Sequence, residues 1–322
     1  MSEGSEPTGG PRLVLVLSEN WTITSPRDLP ALVEMAVVAE AAGFDVAMVS
    51  EHVVLGPTAE ADGVMANPRA YAMPGNQDPA TPWPSSIVLL SAIAAATTRI
   101  RLGAVALLAP LRHPLLLAKE LATLDLLSRG RLVVQPTVSW HRDEYEALGV
   151  SFERRGRLLD EHLAAWELLW RAGPASFAGE HYAFEDVWLE PKPWRPDGPR
   201  LWFGGESVHP RLLRRLVRHG HGFHPLGIVQ GEDVDVVRAA LAEAGRDPST
   251  LEVVGGMRSP FPADDHVAPL APAIDSIAPQ WAAGVRTFCI KPNQYLDDAA
   301  RFPDWCDEVV ARVSALGLEG AA

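Results

Sequence analysis

The sequence predicts an α/β fold, a (β/α)8 TIM barrel with insertions after the second strand and before the fifth. Short β-rich runs alternate with helical stretches from residue 12 onward. The first strand–helix–strand unit takes about forty residues, a spacing that requires a parallel sheet. Eight strands can be counted, each followed by a helix, and eight such units favour a closed barrel over an open doubly wound sheet. At 322 residues and 47% hydrophobic, the chain has apolar material for one large core.

The elements follow in order. Residues 12–17 are a short β-rich run, followed by the polar turn 18–26. Leu29–Ala42 has apolar residues at helical spacing and stops at Gly43, a residue that tolerates the left-handed backbone of a helix end. FDVAMVS at 44–50 is the second strand. Residues 85–98 read as helix, 100–106 as strand, 113–128 as helix and 131–135 as strand. A long amphipathic helix covers 153–171. Residues 201–203 are a strand, 209–219 a helix and 222–225 a short strand end. Helix 233–244, strand 251–254, helix 271–283, strand 286–290 and helix 298–315 complete the series.

Two stretches break the rhythm. Residues 55–84 are long and rich in Pro, Gly, Ala and Asn, and they follow the second strand. Loops after barrel strands lie on the C-terminal face, where active sites are built, so this insertion reads as a substrate lid. Residues 173–199 include FAGEHYAFEDVWLEPKPW and read as a small hairpin before the fifth strand, a barrel-end or oligomer contact as much as a site element.

Charge and composition exclude several classes. With 41 acidic against 28 basic residues the net charge is −13, and nothing concentrates Lys and Arg for nucleic-acid phosphates. The arginines between 211 and 218 have helical spacing and read as a solvated helix face. The two cysteines, Cys289 and Cys306, lack metal-ligand or redox spacing and read as small buried apolar residues, so no metal is expected. No apolar run reaches membrane-spanning length. Residues 1–11 are polar, without a signal-peptide core, and read as a disordered tail before one domain at 12–322. The cytoplasm is the expected compartment, with no membrane or nucleic-acid partner and a small molecule as substrate.

The candidate site residues stand after strands. Glu51 and His52 follow the second strand; His52 can exchange or orient a proton near neutral pH, or cap the loop structurally. Glu51 can pair with His52 or with a backbone amide. After the fourth strand, Ser139 can donate a hydrogen bond to a flat ring, Trp140 can wall it and His141 can join the proton chemistry, or Trp140 can plug the barrel beside a solvated His141. Glu19, Asn20 and Trp21 follow the first strand and are candidates for the same mouth. Gly204, Gly205 and Ser207 follow the fifth strand, where paired glycines admit a phosphate to the backbone or simply make a tight turn. Trp21, Trp83, Trp140 and Trp202 suggest an aromatic mouth, and equally serve as packing. No zinc motif, nucleophile elbow, phosphate loop or dinucleotide fingerprint is present.

Several stretches together resemble the luciferase-like superfamily and its deazaflavin-dependent oxidoreductases. AEAAGFDVAMVSEHVV is similar to the family's second-strand signature, and the run from TPWPSSIVLL to LLSRGRL to its third-strand and following-helix pattern. YEALGVSFERRGRLLDEHL, WLEPKPWRPDGPRLWFGGES and HGHGFHPLG continue the likeness. The resemblance implies hydride transfer between coenzyme F420 and a small organic substrate. The alternative it leaves is an FMN-dependent monooxygenase served by a flavin reductase. It also implies a homodimer, as in many members. By this likeness His52 is the proton-handling residue beside the cofactor ring, and Gly204, Gly205 and Ser207 are the phosphate-side loop. A bulge or non-proline cis peptide backing the ring would fall near Ala104 and Val105.

One departure stands out. Relatives carry a run of the form GVGxGW after the fourth strand, whereas this chain has Gln135-Pro136-Thr137-Val138-Ser139-Trp140. Pro136 removes a donor and adds bulk, which opens a third reading: a barrel without cofactor, acting as a binding protein or a cofactor-free enzyme. Some deazaflavin relatives also place a Glu where Trp140 stands, so that acid role has no counterpart at this position.

Overall fold

The computed structural model describes residues 9–205, 207–226 and 229–319. Residues 1–8 of the expected tail, Glu206 of the glycine loop and Gly227 of HGHGFHPLG lie outside the described residues. The elements are β1 (Arg12–Val16), α1 (Leu29–Ala42), β2 (Val46–Val49), α2 (Ser86–Ala96), β3 (Arg101–Leu108), α3 (Pro114–Leu127), β4 (Leu132–Thr137), α4 (Arg142–Ala147) and α5 (Arg155–Leu169). They continue with β5 (Ala175–Ala178), β6 (Ala183–Val187), β7 (Arg200–Phe203), α6 (Pro210–His219), β8 (Gly222–Phe223), α7 (Gly231–Glu243), β9 (Glu252–Gly256), α8 (Leu270–Asp275), α9 (Ile277–Ala282), β10 (Thr287–Ile290) and α10 (Phe302–Ser314).

Eight parallel strands close a barrel in the order β1-β2-β3-β4-β7-β8-β9-β10, with β10 pairing back onto β1. The expected TIM barrel is the fold, and the hairpin β5–β6 is the insertion before the fifth barrel strand. Gly43 ends α1 in the left-handed region at φ 108°, and its N–H closes on the Ala39 carbonyl. The helix expected at 271–283 is two helices joined at Ser276. Pro279 has no N–H to donate four residues back, so the hydrogen-bond ladder breaks there. The short helix α4, in a stretch with no element expected, forms beside the mouth.

Strand alternation separates two cores. Leu13, Leu15, Ala47, Val49, Leu102, Ala104, Leu132, Val134, Leu201 and Phe203 face the helices. Their sequence neighbours Val14, Val16, Val46, Met48, Val105, Val133, Trp202, Val254 and Cys289 fill the barrel. Trp202 is therefore a barrel-interior residue and not part of an aromatic mouth; its ring lies 5.8 Å from the Arg101 guanidinium. That guanidinium closes the N-terminal end of the barrel, donating bidentately to Glu252 at 2.7 and 2.8 Å, where Thr287 also donates to Glu252. Burial pushes the Glu252 carboxyl up, but its bonds from Arg101 and the charge of Arg12 hold it down at about 2.

Higher in the interior, Cys289 Sγ lies 3.8 Å from His224 Nε2, and His224 Nδ1 lies 2.8 Å from Gln135 Oε1. Because an amide oxygen only accepts, His224 carries its proton on Nδ1 and is neutral. Burial lowers His224 to about 4 and raises the Cys289 thiol to about 12, so neither is reactive at neutral pH. His221 is likewise depressed to about 4 by burial.

These shifts have a sign in stability. Below the ordinary histidine value of 6.5 the unfolded chain binds protons that the folded chain refuses until about pH 4, so stability falls as pH drops through that window. Asp125, raised to about 6 by burial, works in the opposite sense and offsets one histidine. Denaturant titrations should show a net loss on the order of a few kcal/mol between pH 6.5 and 4. A flat profile would mean that these histidines are hydrated in solution.

Candidate active site at the C-terminal mouth

The mouth is built where β3 is irregular. Its pairing with β4 slips between Val105 and Leu107, and the Val105–Ala106 peptide is cis. The bulge thus falls one bond beyond the position the resemblance implied. Pro136 pairs opposite Leu107 and is buried within β4, past the last β4–β7 pair at Val134. A proline is tolerated beside a bulge where the ladder is already interrupted, so it does not stand in the mouth loop; residues 138–141 do.

Glu51 and His52 have different surroundings. The Glu51 carboxylate is buried and accepts from Arg112 at 2.7 and 3.0 Å, from the Ser86 hydroxyl at 2.7 Å and from the Leu108 amide at 3.0 Å. It ties β2 to the end of β3 and the start of α2. Of the two partners foreseen, it takes the backbone amide, and His52 bonds elsewhere.

His52 follows the inward alternation of Val46 and Met48 and reaches the mouth. Its ring stands edge-on to Trp83 and Trp140, with centroids 5.1 and 5.7 Å away. Its Nδ1 is 3.3 Å from Oε2 of Glu144, a wholly buried carboxylate on α4. Glu144 also accepts from the Val53 and Val54 amides and, at 3.3 Å, from the Ser139 hydroxyl. Since a carboxylate only accepts, the His52 proton sits on Nδ1 and Nε2 is left for the mouth.

The sequence did not single out Glu144. Its signal is Trp140-His141-Arg142-Asp143-Glu144, where one helical turn returns an acid to the loop after the fourth strand. Two neighbours brace this corner. His141 is buried and accepts the Gly56 N–H at 2.8 Å, while Asp143 accepts the Thr58 N–H at 2.9 Å. Burial lowers the His141 value, which keeps its accepting nitrogen free of a proton.

The rim on the other side of β2 belongs to β1, β10 and β9. Asn20 and Asn293 knit the first and last strand ends together, Asn293 N donating to Asn20 Oδ1 at 3.1 Å. Glu19 faces Lys291 Nζ at 3.5 Å, and Trp21 donates to the Pro82 carbonyl at 3.1 Å. The insertion 55–84 crosses the mouth between the rims. Its Asn67 donates to the carbonyls of Ala263 and His266 at 3.2 and 2.9 Å, and Tyr71 packs on the barrel-interior cluster. This is the position of a lid.

The glycine loop after β7 divides in function. A Cβ on Gly204 would meet the His224 carbonyl at 1.6 Å, so that glycine serves the fold. A Cβ on Gly205 would meet nothing within 4 Å, and Ser207 is exposed, leaving room for a phosphate. At the other side of the mouth, Trp83 Nε1 and His141 Nδ1 are buried donors without a partner among the described residues. Space at Gly205 together with unfilled donors beside His52 fits a phosphate-bearing ring cofactor.

The chain is thus a parallel (β/α)8 barrel with a histidine–carboxylate pair, His52 and Glu144, at its C-terminal mouth. Residues 12–305 match the family model for luciferase-like monooxygenases, and the chain belongs to that family. It is 37% identical over 169 residues to an uncharacterised protein of Mycobacterium tuberculosis, covering 52% of this chain and 57% of that one. It is 32% identical over 165 residues to an FMNH2-dependent dimethylsulfone monooxygenase of Pseudomonas putida (50% and 45% covered). A phthiodiolone/phenolphthiodiolone dimycocerosates ketoreductase of M. tuberculosis is 29% identical over 234 residues (70% and 59% covered). These matches span 45 to 59% of the relatives' lengths. Among solved structures, a monooxygenase of Streptomyces bottropensis superposes with a TM-score of 0.71 at 19% identity, covering 95% of this chain and 100% of that one. An F420-dependent secondary alcohol dehydrogenase in complex with an F420–acetone adduct gives 0.69 at 17% (94% and 99%). Both likenesses are of fold. No helix among the described residues is long and apolar enough to cross a membrane.

Proposed function

We propose that this protein is an oxidoreductase that transfers a hydride between coenzyme F420 and a small organic substrate, with His52 exchanging the accompanying proton. The observation that carries the reading is the His52–Glu144 pair at the barrel mouth, with the imidazole 5.1 and 5.7 Å from the Trp83 and Trp140 rings and no partner on Nε2 among the described residues. When bound, the deazaflavin supplies or accepts the hydride.

The protein's own residues do the rest. Glu144 holds the His52 proton on Nδ1 and orients the ring, so Nε2 can take a proton from a substrate hydroxyl or, once protonated, return one to a carbonyl. Trp83 and Trp140 keep water from the imidazole. Gly205 and Ser207 would hold the cofactor's phosphate, and Val105 with Ser139 and Trp140 would border its ring, whereas Ala104, expected beside it, faces the helices. The ketoreductase likeness supports hydride chemistry at a carbonyl, since it extends over 70% of the chain.

The P. putida likeness favours a second reading, an FMN-dependent monooxygenase supplied by a flavin reductase. Titration of the purified protein with oxidised F420 and, separately, FMN, followed by tryptophan quenching, decides between them. Tight binding of F420 with weak FMN binding is expected. Preference for FMN would replace this reading by the monooxygenase, and binding of neither would remove the cofactor roles altogether.

A further inference from the structure

The rim at the ends of β9 and β10, on the far side of β1 from His52, carries two cations, Lys291 buried and Arg258 exposed. Thr287 and Cys289 face the barrel interior, and the same alternation turns Lys291 inward just beyond β10. Val254 does the same for Arg258 beyond β9. The Lys291 side chain is completely buried, yet among the described residues Nζ meets only Glu19 Oε2 at 3.5 Å and the Ala70 carbonyl at 3.3 Å. Three ammonium protons thus share two long contacts, whereas a buried charge ordinarily has close, complete pairing. Arg258 lies exposed at the rim, its guanidinium open to solvent apart from a long bond of 3.4 Å to the Leu226 carbonyl. Next to it the Ser259 hydroxyl oxygen is buried without a partner among the described residues.

The two cations converge on one ring. Lys291 Nζ is 5.4 Å and Arg258 Cζ 5.5 Å from the centroid of Tyr71, the lid residue that rests on the interior cluster. In a chain of net charge −13 this is a local reversal of sign, placed two strands (Lys291) and three strands (Arg258) round the barrel from His52.

We propose that Lys291 and Arg258 form the substrate-recognition side of the mouth and accept an oxyanion carried by the substrate, with Tyr71 covering the pair and stacking on the substrate's flat part. The guanidinium fork matches a carboxylate's two oxygens, and the ammonium acts as a point charge. Glu19 supplies one acceptor to Lys291 and the substrate oxyanion supplies another. A substrate held there would extend across the mouth toward His52. This inference rests on the mouth being the active site, but not on which cofactor it holds.

The test is calorimetric titration of the full chain, without cofactor, using benzoate, its neutral counterpart benzamide, and phenyl phosphate. Benzoate is expected to bind at least about tenfold more tightly than benzamide, and Arg258→Gln to remove that difference. Lys291→Met combined with Glu19→Gln keeps the charge balance of the buried pair and should have the same effect without unfolding the protein. Stronger binding of phenyl phosphate, still dependent on Arg258, would identify the oxyanion as a phosphate. Equal binding of benzoate and benzamide, or no binding of either anion, would overturn the proposal. So would anion binding lost in Ser207→Ala and kept in Arg258→Gln, because that places the anion at the cofactor loop. Failure of F420 or FMN to bind is read separately and bears only on the proposed reaction.

Discussion

Replacing His52 by alanine is expected to lower kcat about 10²- to 10⁴-fold, the range associated with loss of a positioned proton carrier. Cofactor affinity should change little, because His52 holds no assigned part of the phosphate site. Glu144→Gln should fall between the wild type and His52→Ala. The amide keeps the shape of the side chain but can present an NH2 group to Nδ1, so the ring no longer has a single preferred tautomer. Nitrogen-15 shifts of the imidazole read this directly: a proton on Nδ1 in the wild type and a mixture in Glu144→Gln. Steady-state rates supply the second readout. A wild-type rate in His52→Ala would take the proton role away from this residue and leave it as a loop anchor. An unchanged tautomer with a reduced rate would assign Glu144 a role other than orienting His52.

Glu51→Ala is expected to destabilise the fold by roughly 3–5 kcal/mol, the cost of leaving a partly buried charge without its partner. Arg112 loses both carboxylate oxygens, and the Ser86 hydroxyl and Leu108 amide each lose an acceptor. The midpoint of denaturant unfolding should move with little change in slope. Glu51→Gln retains part of the network and should cost less. Its activity per folded molecule distinguishes the two roles open to Glu51. A rate close to wild type marks a structural clamp, whereas a deep loss in a stably folded Glu51→Gln would make Glu51 part of the chemistry.

The barrel was legible because its signals are local. Leu29–Ala42 and its terminator Gly43 read correctly to the residue, since helical apolar spacing and a left-handed glycine are properties of neighbouring positions. Alternating strands and helices implied the parallel sheet, and the position of His52 after the second strand placed it at the mouth. The setting of Pro136 was not legible, because its place in β4 depends on a bulge in β3, a strand contributed by another part of the chain.

The sequence by itself determined the family, the order of the eight barrel strands, and the sector of the barrel to which His52 belongs. All follow from spacing and motif within short windows. Tertiary structure decided which charge answers which. Glu144 meets His52 across 92 residues, Arg112 meets Glu51 across 61, and Lys291 meets Glu19 across 272. Closure of the barrel brings those strand ends within a few ångströms, and no local pattern in the chain encodes a distance that only closure creates.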